Sequence, residues 1–289
     1  MPGDDDFKDS SREQWGGSAE HWAKAVEEPD FGASAAAAEW MFEAADLQPG
    51  ERVLELAGGA GRVGLQASEQ VGDEGLVVCS DFAEPMVGAV RERAAQLGLE
   101  NVEARVLDAE NLALADDECF DVVLCRFGYM LMGDPGRALA ESARALEPGG
   151  RLVLAVWGPP GDNPWLMTIL ETVMEHLNAP PPEPGAPGPF VLGDRDRLRG
   201  LIEDAGLDDV DVTALKVEQS YDSPDAWWER ISSVGGPLRA ILASMDESDV
   251  DAIKQNAFER AGDYVRDDGT AVFPAVVIAA RARRPAQPA

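Results

Sequence analysis

Short, almost entirely apolar segments alternate with helical stretches through the first half of the chain. The pattern predicts strands at 52–57, 76–80, 102–107, 120–126 and 151–157, separated mainly by helices. Strands without polar alternation are buried on both faces, which requires a parallel sheet covered by helices on both sides. Right-handed crossovers then give a doubly wound α/β domain, in which ligands bind beyond the carboxyl ends of the strands.

A glycine-rich turn follows the first predicted strand, and its glycines permit two interpretations. Gly59, Gly61 and Gly64 match the G-x-G-x-x-G pattern that carries a pyrophosphate at a helix N-terminus. Asp81 follows Gly64 by 17 residues, close to the position of the ribose-binding acid in dinucleotide sites. This interpretation predicts an NAD(P)-dependent oxidoreductase, but it gives no role to Glu55, just before the turn.

The second interpretation assigns the turn to S-adenosylmethionine (SAM), which carries an amino acid, a ribose and an adenine but no phosphate. Gly58, Gly59 and Gly61 would let the backbone approach the amino-acid part closely. Glu55 would orient the loop and favour the cationic amine. With Gly64 inside the first predicted helix, its match to the dinucleotide pattern is then coincidental.

Acidic residues at the ends of the next two strands fit the rest of the nucleoside. Asp81 is placed to accept hydrogen bonds from both ribose hydroxyls, and Asp108 to accept from the adenine amino group. The Ala109 amide would face a ring nitrogen, and Phe82 and Met86 would sandwich the adenine. Either aspartate alone could cap a turn, but the combined pattern favours a SAM site.

Five segments in order resemble the motifs of class I SAM-dependent methyltransferases, in the group that includes the menaquinone and ubiquinone C-methyltransferases. They are 53–61, 80–86, 107–112, 120–127 and 146–152. The resemblance implies a seven-stranded, mostly parallel Rossmann-like sheet, SAM as cofactor and S-adenosylhomocysteine (SAH) as product. It also implies in-line transfer of a methyl group, with no metal required.

The resemblance extends the predicted cofactor set and contains one departure. Glu110 lies in the third motif, and Arg126 ends the fourth strand, where a main-chain contact to the SAM amino acid is implied. The family usually has glycine where this chain has Ala57, which narrows the loop. A non-catalytic SAM-binding module is the remaining alternative to an enzyme.

Four regions follow from the composition along the chain. Residues 1–45 are predicted as an N-terminal helical lid and 46–157 as the SAM-binding core. Residues 158–194 are rich in proline and are predicted as a lid insertion. Residues 195–289 complete the core, with a helical cap insertion at 222–268 that contains one long helix, 238–266.

Several aromatic and sulfur-containing side chains lie near the ends of strands four and five and in the two insertions. Together they predict an apolar pocket for the methyl acceptor. Such a pocket favours a small hydrophobic or aromatic molecule, although each side chain alone could serve packing. His21, in the lid, is a candidate general base, and His176 is a weaker one. The predicted pocket residues are Phe127, Tyr129, Met130, Trp157, Trp165 and Trp228.

The charge balance limits the partners of the protein. The formal net charge is −30, from 54 acidic and 24 basic residues, so phosphate backbones and anionic membranes are repelled. We therefore expect a small-molecule substrate, no nucleic acid and no membrane, in a monomer or homodimer. The three cysteines do not have the spacing of metal ligands, and the acidic N-terminus does not resemble a signal peptide, so we expect a cytoplasmic protein. The acidity fits either solubility or a high-salt cytoplasm.

Overall fold

Seven strands form one sheet at the centre of the computed structural model, which describes residues 4–115, 117–183, 185–233 and 236–286. The residues outside these ranges include 1–3 of the predicted N-terminal lid, 184 of the predicted lid insertion and 234–235 of the predicted cap insertion. The strands are β1 Arg52–Glu55, β2 Leu76–Asp81, β3 Val102–Val106, β4 Phe120–Arg126, β5 Leu146–Trp157, β6 Asp208–Tyr221 and β7 Ala271–Arg283.

The strand order is β3-β2-β1-β4-β5-β7-β6. Strands β1 to β5 pair in parallel, whereas β7 is antiparallel to both β5 and β6. The chain moves outward from β1 to β3 and then returns to β4 on the other side of β1. This reversal creates a crevice above the carboxyl ends of β1 and β4, where open α/β sheets bind ligands. The predicted seven-stranded, mostly parallel sheet is confirmed.

Helices cover the sheet and continue beyond it at both insertions. Crossovers between parallel strands are right-handed, so the helices after β1 and β2 lie on one face and the helix after β4 on the other. The α-helices are α1 Asp4–Gly16, α2 Ala19–Glu27, α3 Gly32–Ala45, α4 Arg62–Val71, α5 Glu84–Leu97, α6 Pro135–Ala145, α7 Pro164–His176, α8 Arg195–Asp204, α9 Pro224–Ser233, α10 Pro237–Ala243 and α11 Glu247–Arg260.

The predicted long helix 238–266 is wrong. Helix α10 ends at Ala243, α11 begins at Glu247, and a short 3₁₀ turn at Gly262–Tyr264 follows. The Ser244 amide bonds back to Ile241 and the Met245 amide to Leu242, which tightens the last turn of α10 and ends it. Within the described residues no helix is both long and apolar enough to cross a membrane.

The N-terminal segment, which we define as residues 4–31, lies across the carboxyl edge of the sheet. Helix α1 packs on α5 and α10, and α2 packs on α5. Helix α3 packs on β5, β6 and β7 and contributes fully buried alanines and Met41 to the core. The N-terminal segment is therefore positioned over the crevice predicted to hold the cofactor.

Candidate active site

Glu55, the last residue of β1, lies beneath the glycine turn. Its side chain is almost fully buried, with 2% of its surface exposed. Burial raises its pKa to about 7, against the opposing effects of Arg126, the Gly64 amide and the Cys79 thiol. The Oε2 atom is buried and has no well-directed hydrogen-bond partner among the described residues. Such an atom is an acceptor that a ligand can satisfy.

Two glycines leave the space that this carboxylate fills. A Cβ atom on Gly58 would lie 2.5 Å from Glu55 Oε2, and one on Gly64 would lie 2.4 Å from the same atom and 2.3 Å from Cys79 Sγ. The position of Gly64 inside α4 is confirmed, yet its identity is required by packing rather than coincidental. The sequence pattern does not reveal this role, because it depends on how closely α4 packs on β1 and β2.

Three residues of the turn, Ala57, Gly59 and Gly61, have a left-handed backbone conformation. Gly59 has φ +56° with open space where a Cβ would stand, and Gly61 has φ +82° where a Cβ would meet Val90 at 2.9 Å. Ala57 has φ 49°, a region that costs a residue with a Cβ about 1–2 kcal/mol. The conformation of Ala57 explains why glycine is the usual residue there. Phe127, the residue directly after β4, also has a left-handed backbone, with φ 60°.

Asp81 ends β2 and braces the turn from the side. Its Oδ2 accepts from the Gly59 amide at 3.0 Å, and Oδ1 accepts from the Ala83 amide at 3.0 Å. Burial raises its pKa, while these backbone hydrogen bonds oppose the rise. Because each carboxylate oxygen can accept a second bond, Asp81 retains capacity for two hydroxyl donors.

Asp108 and Glu110 follow β3 and share a lysine from the N-terminal segment. Lys8 Nζ lies 2.9 Å from Asp108 Oδ2 and 2.9 Å from Glu110 Oε2. The Glu110 amide donates to Asp108 Oδ1 at 2.9 Å, and Glu110 Oε1 accepts from the Gly133 amide at 2.9 Å. Ala109, between the two acids, is buried. Lys8 was not predicted at the site, because it lies 100 residues from Asp108 in the sequence.

The predicted adenine-sandwiching residues are in contact with tryptophans. Met86 is buried in a small cluster with Ala83, and Phe82, Trp15 and Trp22 pack against it. The Arg12 guanidinium also lies 5.5 Å from the centre of the Phe82 ring. Residues of the N-terminal segment thus occupy the apolar surface beside Asp81 and Asp108.

Arg126, at the end of β4, is tied to the same segment. Its Nη1 pairs with Asp30 Oδ2 and donates to the Ser34 carbonyl at 3.0 Å. Arg62, the first residue of α4, donates to the carbonyls of Ala25 and Glu28 and so caps the end of α2. The predicted main-chain contact of Arg126 stays a prediction, and the observed role of its side chain is to hold the N-terminal segment.

Three of the predicted pocket aromatics form one wall. Phe127 stacks on Trp157 with ring centres 4.1 Å apart and an interplanar angle of 10°. Trp157 meets Trp165 of α7 edge-on at 4.8 Å. The Trp165 indole N–H donates to Asn163 Oδ1 at 3.0 Å, which fixes the ring. The wall stands beside the ends of β4 and β5, next to the glycine turn.

The other three predicted pocket residues are buried. The Tyr129 side chain is fully buried, and its hydroxyl is 2.6 Å from Ser142 Oγ of α6, so the structure places it in the core, and its role in the pocket stays a prediction. Burial raises the pKa of this phenol. Met130 is buried, and its sulfur lies 3.5 Å from the backbone nitrogen of Trp157. Trp228 is buried in α9.

The two histidines differ in surroundings. His21 lies on α2 and meets Trp22 edge-on at 6.4 Å. Partial burial, then the cations Arg239 and Arg230, lower the pKa of His21, which keeps its ring neutral near pH 7. His176 Nε2 lies 3.3 Å from Asp249 Oδ1 of α11, far along the second insertion. His21 remains a predicted base, whereas the His176 side chain joins two helices.

Tyr221 is a further polar group at this edge that sequence analysis missed. It ends β6 with 6% of its surface exposed, and its hydroxyl has no hydrogen-bond partner among the described residues. The ring lies between Phe31 and Phe273, with centres at 6.1 and 6.2 Å. Because β6 runs parallel to β1–β5, this phenol lies at the same edge of the sheet as the glycine turn.

The residues present fit SAM. A buried carboxylate with an unpartnered oxygen suits a cationic amine, two aspartates with remaining acceptor capacity suit hydroxyl and amino donors, and the open space at Gly59 admits a close approach. No pyrophosphate is needed to explain any of these groups. Across the described residues, no cluster of three or more His, Cys, Asp or Glu side chains is arranged to hold a metal ion.

Known proteins share this core. The methyltransferase domain family matches residues 47–178. The ubiquinone/menaquinone biosynthesis C-methyltransferase UbiE of Ectopseudomonas mendocina is 32% identical over 186 residues, which cover 63% of this chain and 70% of that protein. The demethylmenaquinone methyltransferase of Thermus thermophilus is 41% identical over 126 residues, covering 42% of this chain and 55% of that protein.

A solved structure agrees on the fold. The YcgJ protein of Bacillus subtilis superposes with a TM-score of 0.60 at 19% identity, covering 87% of this chain and 99% of that one. The chain belongs to the class I SAM-dependent methyltransferases. Its cofactor is SAM and the product of the cofactor is SAH. Membership of this family decides between the two interpretations of the glycine turn.

Proposed function

We propose that this methyltransferase acts on a small planar aromatic acceptor held against the wall of Phe127, Trp157 and Trp165. The observation that carries the proposal is the stacked pair, Phe127 on Trp157 at 4.1 Å, beside the glycine turn. Stacked rings at a pocket wall favour a flat apolar ligand. The names of the relatives associate them with quinone biosynthesis, which supports a ring of that general kind.

Three acids on successive strands would hold the cofactor. Glu55 would receive the amine through its unpartnered Oε2, and Asp81 would accept from the ribose hydroxyls. Asp108 would accept from the adenine amino group, with Phe82 and Met86 on the ring faces. The glycines at 58, 59 and 61 leave the backbone free to approach the amino-acid part.

The chemistry supplied by bound SAM is a methyl group on a positively charged sulfur, already activated for in-line displacement. The protein contributes alignment and exclusion of water. The aromatic wall would fix the plane of the acceptor, and the part of the N-terminal segment held by Arg62 and Arg126, from α2 to Asp30, would cover the crevice as a lid. His21 would take a proton only from an acceptor that must lose one.

The Tyr221 hydroxyl would give the acceptor a polar anchor at the far side of the crevice. A buried hydroxyl without a partner is unfavourable in the free protein, and a carbonyl or hydroxyl oxygen on the acceptor would satisfy it. Removal of this one oxygen in Tyr221→Phe should therefore weaken acceptor binding without weakening the fold.

The experiment is a turnover assay with purified protein, SAM and a panel of acceptors, reading SAH formation and the mass of the methylated product. Hydroquinones and phenols should be methylated in preference to aliphatic amines of similar size. Phe127→Leu should raise KM for the acceptor about two- to tenfold while SAH affinity is unchanged, since one aromatic contact contributes about 0.5–1.5 kcal/mol. Preference for aliphatic acceptors would contradict the proposal, and no turnover with any acceptor would favour a non-catalytic SAM-binding module.

A further inference from the structure

The N-terminal segment makes three separate contacts with the surface that the proposed function assigns to adenosine. Lys8 Nζ lies 2.9 Å from Asp108 Oδ2. Arg12 Nε donates to the Phe82 carbonyl at 3.3 Å, and its guanidinium lies over the Phe82 ring. Trp15 packs with Phe82 on the cluster around Met86. The Lys8 ammonium thus covers an oxygen of Asp108, and the Trp15 ring covers the apolar surface around Met86.

These groups match the chemical features of adenosine one by one. The Lys8 ammonium donates to Asp108 Oδ2 at 2.9 Å and takes the space in front of the carboxylate that the adenine amino group would need, while Oδ1 accepts from the Glu110 amide at 2.9 Å. The Trp15 indole is a fused aromatic ring of similar size to adenine, and it packs on the cluster that contains Met86, one of the two residues assigned to the adenine faces. The same surface cannot be covered by both at once.

The covering contacts are suited to opening. The Lys8 side chain is 16% exposed and that of Asp108 31%, so this ion pair is accessible to water and weakened by salt, whereas the second pair of Lys8, with the 5% exposed Glu110, is more buried. The neighbouring Trp22 indole N–H is buried and has no hydrogen-bond partner among the described residues. The arrangement in which α1 covers this surface therefore leaves one buried donor without a hydrogen bond. Both observations indicate a segment that can exchange this packing for another.

We propose that α1 is an internal competitor of the cofactor, in which Lys8 and Trp15 occupy the adenosine subsite until SAM displaces them. The inference rests on the proposed function through the role of Asp108. Binding is then coupled to release of the segment, and the apparent affinity for SAM is reduced by the fraction of molecules that are closed. The released α1 becomes free to close again after the product leaves.

Hydrogen exchange on the wild-type protein tests the direction of this coupling. On addition of SAH, amides of α1 should exchange faster, while amides of the turn at 58–61 exchange more slowly. Slower exchange in α1 with SAH bound would mean that the segment clamps the cofactor instead of competing with it, and would overturn the proposal. This measurement needs no variant, so it does not depend on whether one folds.

Stopped-flow binding of SAH to Lys8→Met tests the named contact. Loss of the ammonium should speed SAH association and tighten its apparent Kd about fivefold, whereas Lys24→Met, at an exposed lysine paired with Glu20, should bind as wild type. Equal or weaker binding by Lys8→Met would overturn the proposal.

Asp81→Asn separates the competitor proposal from the proposed function, because Asp81 has no contact with Lys8. If SAH affinity is unchanged in Asp81→Asn, the cofactor subsites are misassigned and both proposals fail. If Asp81→Asn loses affinity but Lys8→Met gains none, the competitor proposal alone fails.

Discussion

Replacing Glu55 by glutamine should change how stability depends on pH. The folded-state pKa of this carboxyl is about 7, raised by burial from its reference value of 4.5. A raised pKa means that the group favours the folded state below pH 4.5, and that this contribution is lost as pH rises through about 7. The wild-type protein without SAM should therefore become less stable on passing from acid to neutral pH.

The size of the effect follows from the two pKa values. Since each pKa unit is worth about 1.36 kcal/mol, the full difference is about 3.4 kcal/mol, of which about 2.5 kcal/mol falls between pH 5 and pH 8. Glutamine does not titrate, so Glu55→Gln should lack this component. The glutamine amide of Glu55→Gln is buried, and without hydrogen bonds it lowers the free energy of unfolding by about 1–3 kcal/mol at every pH.

Urea unfolding of wild type and Glu55→Gln at pH 5 and pH 8 measures the difference. The free energy of unfolding of the variant relative to wild type should rise by about 2.5 kcal/mol between the two pH values. Glu100→Gln, at an exposed carboxyl, is the matched control and should show no such change. Parallel pH profiles for wild type and Glu55→Gln would refute the claim that Glu55 titrates near neutral pH.

Four other outcomes follow from the site. Glu55→Gln should weaken SAH binding about 10–100-fold in calorimetry, since it removes a charge-assisted bond worth about 1.5–3 kcal/mol; unchanged affinity would contradict the amine assignment. Asp81→Asn should weaken SAH binding by a similar factor through the ribose, with undiminished binding as the contrary result. Ala57→Gly should raise the unfolding free energy by up to about 1 kcal/mol, because glycine accepts φ 49° without strain, and a loss of stability would contradict this. Tyr221→Phe should leave thermal stability unchanged or higher and raise the acceptor KM, whereas an unchanged KM would remove Tyr221 from the acceptor site.

The sheet and the row of acids were predictable because both depend on local patterns. Apolar strands alternating with helices dictate a parallel sheet, and the carboxyl ends of such strands meet at one edge. Glu55, Asp81 and Asp108 stand at three of those ends, so their proximity follows from topology alone. Each acid could be placed without knowledge of any side-chain conformation.

The remaining features depend on contacts between distant parts of the chain. Lys8 meets Asp108 across 100 residues, and the orientation of Tyr129 toward Ser142 depends on how α6 packs. The break between α10 and α11 depends on local hydrogen bonds that helix propensity does not reveal, because residues 244–246 are compatible with a helix in composition. Sequence patterns define the faces of elements but not the partners of individual side chains.

A crystal structure of the protein with SAH would show directly which residues hold the cofactor. We expect the amine of SAH on Glu55, the ribose hydroxyls on Asp81 and the adenine amino group on Asp108, with Lys8 moved away from Asp108. SAH bound elsewhere on the sheet edge, or bound without contact to Asp81, would contradict this expectation.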